Sequence, residues 1–129
     1  MKIEKLPYDF TVCRLSTPTD LNKEYMFSAV TDEEVSLVCK TCDVPKNVLK
    51  QEDGWRCFRI CDILDFSLIG ILADISKILA DKKIGIFAVS TYNTDYIFVK
   101  QENFSAAILA LSENEYEIFW KFCNILHCF

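Results

Sequence analysis

Histidine is almost absent from this chain of 129 residues, since His127, near the C-terminal end, is the single one. Nucleophilic catalysis by a cysteine–histidine pair would need that imidazole beside a thiol, such as Cys123 or Cys128, in an ordered pocket. A terminal segment rarely forms such a pocket. We therefore expect no enzymatic activity.

Positive charge is also scarce. The chain has 14 Lys and Arg against 19 Asp and Glu, which gives a formal net charge of -5. The basic residues are scattered, and the adjacent pair Lys82–Lys83 is not part of a longer run. Because nucleic-acid binding needs a basic face that neutralises phosphates, the sequence predicts no nucleic-acid partner.

Long apolar runs are missing as well. The apolar segment 67–82 is interrupted by Asp74, Lys77 and Asp81, and no run approaches the roughly 18 residues that a membrane-spanning helix needs. The first ten residues, MKIEKLPYDF, are too short and too acidic for a signal peptide. We expect a cytoplasmic protein with no membrane contact.

Cysteine, in contrast, is plentiful: the chain has seven. An odd number without a signal peptide favours reduced thiols over a disulfide framework. Cys39 and Cys42 have zinc-knuckle spacing, and Cys123, His127 and Cys128 could complete a zinc site. There is no second C-x-x-C motif, so incidental thiols are favoured, and we expect neither a metal nor another cofactor.

The second half of the chain has the more regular pattern. Leu68, Leu72, Ile75 and Leu79 recur at helical spacing and predict an amphipathic helix over 67–82. This helix would contain Gly70 one turn from its start. The other predicted elements are strands 55–60, 84–91, 96–100 and 116–120 and a helix over 104–112, which Asn103 is expected to cap. The strand at 84–91 is nearly continuous in apolar residues, which is typical of a central strand.

The first half of the chain has fewer predicted helices and strands than the second half. Strands are predicted over 10–15 and 25–31, and residues 41–54 are predicted to be a connector. Thr31 and Glu34 have the spacing of a capping box, so a helix is predicted from this point to about Lys40. The sequence therefore predicts an α+β fold whose second half has the order βαββαβ, which is the ferredoxin-like arrangement of an antiparallel sheet with helices on one face.

The segment DFSLIGILADISKILADKKIGIFAVSTYNTDYIFV, together with YMFSAVTDEEVSLVC in the first half, resembles the ACT domain. More narrowly, the chain is similar to the small two-module ACT proteins whose relatives include the cytosolic arginine sensors of animals. The resemblance implies an abbreviated module over 1–52, a complete module over 53–120 and an apolar tail over 121–129. It also implies a non-catalytic regulatory protein that holds a free amino acid at a module or subunit interface.

The same resemblance implies a set of ligand-binding residues. In ACT domains, the loop before the first helix lines the amino-acid site. The hairpin STYNTD resembles a hairpin that lies near the ligand in the arginine sensors. The residues that carry over are Asp65, Phe66, Ser67, Leu68, Ile69, Gly70, Ser90, Thr91, Thr94 and Asp95.

Each of these features has a structural alternative. Gly70 could serve close packing of a helix on a strand, and residues such as Thr94 and Asp95 are common in turns. Bulky Leu68 and Ile69 could fill the pocket, so the rival interpretation is a ligand-free scaffold or oligomerisation module.

The tail FWKFCNILHCF is strongly apolar and would either pack on the domain or form a dimer contact. We expect a homodimer and a regulated protein that the sequence does not identify.

Overall fold

The computed structural model describes residues 1–61 and 70–121. The strands are β1 (Lys2–Leu15), β2 (Phe27–Val30), β3 (Val35–Lys40), β4 (Val48–Ile60), β5 (Ile86–Ser90), β6 (Asp95–Lys100) and β7 (Glu117–Trp120). The helices are α1 (Ile71–Asp81) and α2 (Phe104–Glu113), and short 3-10 turns cover Thr41–Asp43 and Gln101–Asn103. No helix in these two described ranges is long and apolar enough to cross a membrane.

The chain forms two compact units. The larger unit consists of Met1–Pro7 and Cys57–Phe129, and the smaller unit consists of Tyr8–Arg56. Both β1 and β4 therefore contribute residues to each unit.

In the larger unit, the strand order is β7-β1-β4-β6-β5. Strand β7 runs parallel to β1, with Lys2 opposite Glu117 and Lys5 opposite Trp120, while β5 and β6 form an antiparallel hairpin. The N-terminal end of the chain thus lies between β7 and β4, an insertion that the sequence did not predict.

Both helices of the larger unit cover one face of its sheet. Phe58 and Ile60 of β4, and Ile97 and Val99 of β6, alternate along their strands and point to the helices. The buried helix residues that meet them are Ile75, Leu79, Phe104, Ala107, Ala110 and Leu111. The α+β class with helices on one face is therefore confirmed, and the predicted periodicity of the first helix correctly identifies Ile75 and Leu79 as core.

In the smaller unit, the strand order is β2-β3-β1-β4, and its core consists of Cys13, Leu15, Leu37 and Cys39. The prediction of a helix between Thr31 and Lys40 was wrong, because this segment is a turn followed by β3. Burial alternates along β3, so that Leu37 and Cys39 face the core with period two. Thr31 does accept hydrogen bonds from the backbone N–H groups of Glu33 and Glu34, but it does so in a hairpin turn.

Four further expectations need correction. Strand β1 begins at Lys2 rather than at residue 10, and β4 takes up residues 48–54, which were predicted to be connector. Strand β5 lies at the end of the sheet in the part of the chain that the structure describes, so it is not a central strand. Asn103 precedes α2 but makes no side-chain capping hydrogen bond.

Candidate functional site

The hairpin between β5 and β6 brings four of the predicted site residues together. Ser90 and Asp95 are paired across the strands, and the Ser90 hydroxyl donates to Oδ1 of Asp95. Thr91 closes the turn, because its backbone N–H and its hydroxyl both donate to the carbonyl of Thr94, at 2.8 Å and 3.0 Å. Ser90 and Thr91 are exposed, whereas Thr94 and Asp95 are half-buried. The hairpin therefore presents hydroxyl groups and one carboxylate within six residues.

Thr94 connects this hairpin to the end of β4. Its hydroxyl donates to the backbone carbonyl of Ile60, the last residue of β4. Residues 62–69, which precede Gly70 and include Asp65, Phe66, Ser67, Leu68 and Ile69, lie outside the described residues. The structure thus places the hairpin beside the point where that segment begins.

Gly70 lies at the other end of the same segment. Its backbone is left-handed, with φ 92° and ψ 8°, and it immediately precedes α1 as the N-cap residue. The prediction that Gly70 lies inside the helix was therefore wrong. A Cβ atom built on Gly70 would meet no described atom within 4 Å, so close helix–strand packing does not explain the glycine. The positive φ explains it, because side chains are strained in this region.

The first turn of α1 carries a polar pair that the sequence analysis missed. The backbone N–H of Asp74 donates to the carbonyl of Gly70 at 2.8 Å, and its carboxylate accepts a hydrogen bond from the Tyr116 hydroxyl. Burial and this carboxylate raise the pKa of Tyr116 above the ordinary value of 10.0. An acidic residue four positions after the glycine was the available signal, since carboxylates favour helix N-termini. Its partner Tyr116 is 42 residues away, and no local sequence signal indicated that the two side chains would meet.

The part of the chain that contains both helices and the Ser90–Asp95 hairpin matches a known protein family. Residues 50–113 match the family model of the ACT domain. This ACT segment contains Gly70 and the Ser90–Asp95 hairpin, and it ends at the last residue of α2. No curated protein gives a significant sequence match to the chain.

Similarity to solved structures extends over nearly the whole chain. A protein from Agrobacterium tumefaciens matches with a TM-score of 0.83 and 24% identity, covering 95% of both chains. A protein of unknown function from Vibrio cholerae, described as a possible transport protein, matches with a TM-score of 0.67 and 20% identity, covering 87% of this chain and 88% of its own. The ligand-free regulatory subunit of aspartate kinase from Thermus thermophilus matches with a TM-score of 0.60 and 9% identity, covering 89% and 98%. These similarities establish the fold that the ACT segment belongs to.

The hairpin of the ACT segment has a local counterpart in the smaller unit, at an offset of 60 residues. Thr31 and Glu34 repeat the bonds of Thr91 and Thr94: the Thr31 N–H donates to the Glu34 carbonyl at 3.0 Å, and the Thr31 hydroxyl donates to the same oxygen at 3.3 Å. The strand that follows covers 35–40 in one case and 95–100 in the other, and each leads into a three-residue 3-10 turn.

The two copies diverge directly after the 3-10 turn. Phe104 continues in helical geometry, with φ -62° and ψ -47°, into α2. Val44 is extended, with φ -60° and ψ 123°, because it precedes Pro45, and a residue before proline is driven out of the helical region. The chain then enters β4, so the smaller unit has no counterpart of α2.

The cysteines outside the site differ in exposure. Cys39 is buried and Cys42, three residues later, is exposed. Burial, reinforced by the nearby Cys13, raises the pKa of Cys39 to about 12. The described residues contain no group of three or more potential metal ligands. Cys123, His127 and Cys128 lie outside them.

Proposed function

We propose that this protein is a non-catalytic regulatory protein that binds a free amino acid. The observation that carries the proposal is the position of an exposed polar hairpin, Ser90–Asp95, beside the start of the segment that leads to Gly70, within a region that matches the ACT domain. The similarity to an aspartate kinase regulatory subunit supports a regulatory role rather than a catalytic one.

The described groups suit the two ends of an amino acid. The Asp95 carboxylate is held by Ser90 and is half-buried, so it can pair with an ammonium group in a setting less screened than open water. The first backbone N–H groups of α1, which follow Gly70, can bind a carboxylate. The loop residues Asp65, Phe66, Ser67, Leu68 and Ile69 would complete the site, in accordance with the resemblance noted above.

In this proposal, the ligand lies at an interface between ACT modules or between subunits. Binding would favour one arrangement of that interface over another and so regulate a cytoplasmic partner protein without chemistry. The modules would be those inferred from the sequence, 1–52 and 53–120. The repeat of the hairpin at a 60-residue offset supports a common plan for the two.

The alternative function is a ligand-free scaffold. It is favoured by the hydrogen bonds of the hairpin itself, because Thr91 and Thr94 satisfy each other as ordinary turn residues do. The matching turn at Thr31 has the same bonds next to Val30 and Val35, which offer no polar groups to a ligand.

The two turns provide a matched pair of variants that separates the two functions. Thr91→Val and Thr31→Val each remove the same hydroxyl from the same position of the same turn. Each should lower the free energy of unfolding by about 1 kcal/mol, the usual contribution of such hydrogen bonds. Only Thr91→Val should also weaken binding of the amino acid, measured by isothermal titration calorimetry. Absence of amino-acid binding by the wild type would favour the scaffold, whereas equal binding by both variants would show that the ligand does not depend on the Thr91 hydroxyl.

A further inference from the structure

Helix α2 has an outer surface that is unusually poor in charge. Its sequence, FSAAILALSE, contains a single charged residue, Glu113, at its last position. Ser105, Ala106 and Leu109 are exposed, and the Leu109 side chain is 60% exposed. Helix α1 differs, because Asp74, Lys77 and Asp81 interrupt its apolar residues. A helix that is apolar on its outer side as well as its inner side is usually covered in the functional assembly.

A shallow cavity of about 300 Å³ runs along this surface, which we call the α2 groove. Ala106, Leu109 and Ala110 supply its apolar part, Lys82 and Lys83 lie along it, and Glu113 lies at the end of the helix. In the described parts of the chain, none of these three charged side chains takes part in an ion pair. The groove therefore carries charges of both signs.

We propose that the α2 groove binds a second copy of this chain, with α2 packed against the α2 of its partner about a two-fold axis. In such an interface the same surface occurs on both sides, so it must be complementary to itself. A groove that has lysines and a glutamate beside an apolar strip meets this condition. A groove with charges of one sign only would instead suit a partner of the opposite charge.

The helix ends support an antiparallel arrangement. Glu113, at the C-terminal end of α2, would approach the N-terminal end of the partner's α2, where the helix dipole favours negative charge. Ser105 and Ala106 are small and let the two helix axes approach closely around Leu109.

The size of the surface sets the strength of the interaction. A helix of ten residues is about 15 Å long, so the contact is small compared with the roughly 1,200–2,000 Å² of a stable complex. We therefore expect a reversible dimer whose population depends on concentration. The proposal does not depend on amino-acid binding, and its test is made without added amino acid.

Sedimentation velocity over a concentration series tests the proposal. The wild-type chain should associate with rising concentration, and Leu109→Lys should remain monomeric. Leu49 provides the matched control, because it is 59% exposed and lies on β4 in the smaller unit. Leu49→Lys should associate as the wild type does. Both variants should keep the wild-type thermal midpoint and circular dichroism, since both side chains are exposed.

Charge reversal gives a second readout on the same surface. The double variant Lys82→Glu, Lys83→Glu should weaken association, because it leaves the groove with negative charge only, and Glu113→Lys should weaken it by placing positive charge at the N-terminal end of the partner's α2. A wild-type chain that stays monomeric over the whole series would overturn the proposal. So would association that survives Leu109→Lys, or that is lost in Leu49→Lys instead.

Discussion

Gly70 has a left-handed backbone and lies directly before α1. Its φ of 92° explains why a glycine precedes α1, and a Cβ atom at this position would meet no atom of the described residues within 4 Å. From sequence alone, Gly70 could be recognised as exceptional. Its conformation could not be predicted, because the apolar periodicity of the helix continued through it.

Replacing Gly70 by alanine should therefore destabilise the fold through backbone strain alone. We expect the free energy of unfolding to fall by about 1 kcal/mol in Gly70→Ala, measured by urea denaturation. Gly85→Ala is the control, because a Cβ atom on Gly85 also meets no described atom within 4 Å, while Gly85 does not have a positive φ. It should leave stability unchanged or raise it slightly. Equal losses in both variants would contradict the strain explanation.

The hydrogen bond between Tyr116 and Asp74 predicts a pH dependence. Burial and this bond raise the pKa of Tyr116 above 10.0, so the folded chain keeps its phenolic proton at a pH where the unfolded chain has lost it. The contribution of the protonated Tyr116 to the free energy of unfolding is therefore fully present below pH 10.0 and is lost progressively as the pH rises above that value.

Tyr116→Phe should remove this part of the alkaline loss, so the wild type should lose more stability than the variant as the pH rises through this range. The measurement is urea unfolding of both proteins over an alkaline pH series. Tyr92→Phe is the control, because the Tyr92 side chain is fully exposed, and it should follow the wild type. Parallel pH profiles for Tyr116→Phe and the wild type would contradict the prediction.

At the level of single elements, periodicity predicted some segments well and others badly. The pattern of α1 was clear, because Leu72, Ile75 and Leu79 recur at helical spacing. The segment 35–40 is too short for such a pattern. The capping signal at Thr31 favoured a helix there, although the segment itself contains the β-branched residues Val35 and Val38. The same threonine geometry serves a helix start and a hairpin turn, so the local signal could not decide between them.

The strand assignment of residues 35–40 leads to a clear expectation for Leu37. Its side chain is fully buried in the core of the smaller unit, so Leu37→Ala should lower the free energy of unfolding by about 2–5 kcal/mol. Leu49→Ala removes the same atoms from an exposed position on β4 and should cost far less. Comparable losses, determined by denaturant titration, would rule out the burial pattern of β3.

At the scale of the whole molecule, the sequence indicated the fold class and the helices of the second half but not the strand order. Pairing of Lys2–Lys5 with β7 joins residues more than a hundred positions apart, and no local pattern encodes such a contact. The N-terminal residues therefore belong to a unit that is otherwise built from the second half of the chain.

The candidate site was predictable only in part, for a related reason. Ser90, Thr91, Thr94 and Asp95 are close in sequence, and their hairpin could be recognised. The bond from Thr94 to Ile60 is a tertiary contact over 34 residues, and no local pattern predicts that it links the hairpin to the last residue of β4.

The central claim is that this chain binds a free amino acid, and a thermal-shift screen against the twenty amino acids tests it most directly. A ligand at about 100 times its dissociation constant stabilises the folded state by about 2.7 kcal/mol, which corresponds to a shift of several degrees for a protein of this size. We predict such a shift with one amino acid or a closely related group, and we predict that Thr91→Val reduces it while Thr31→Val does not. No shift with any of the twenty would contradict the claim.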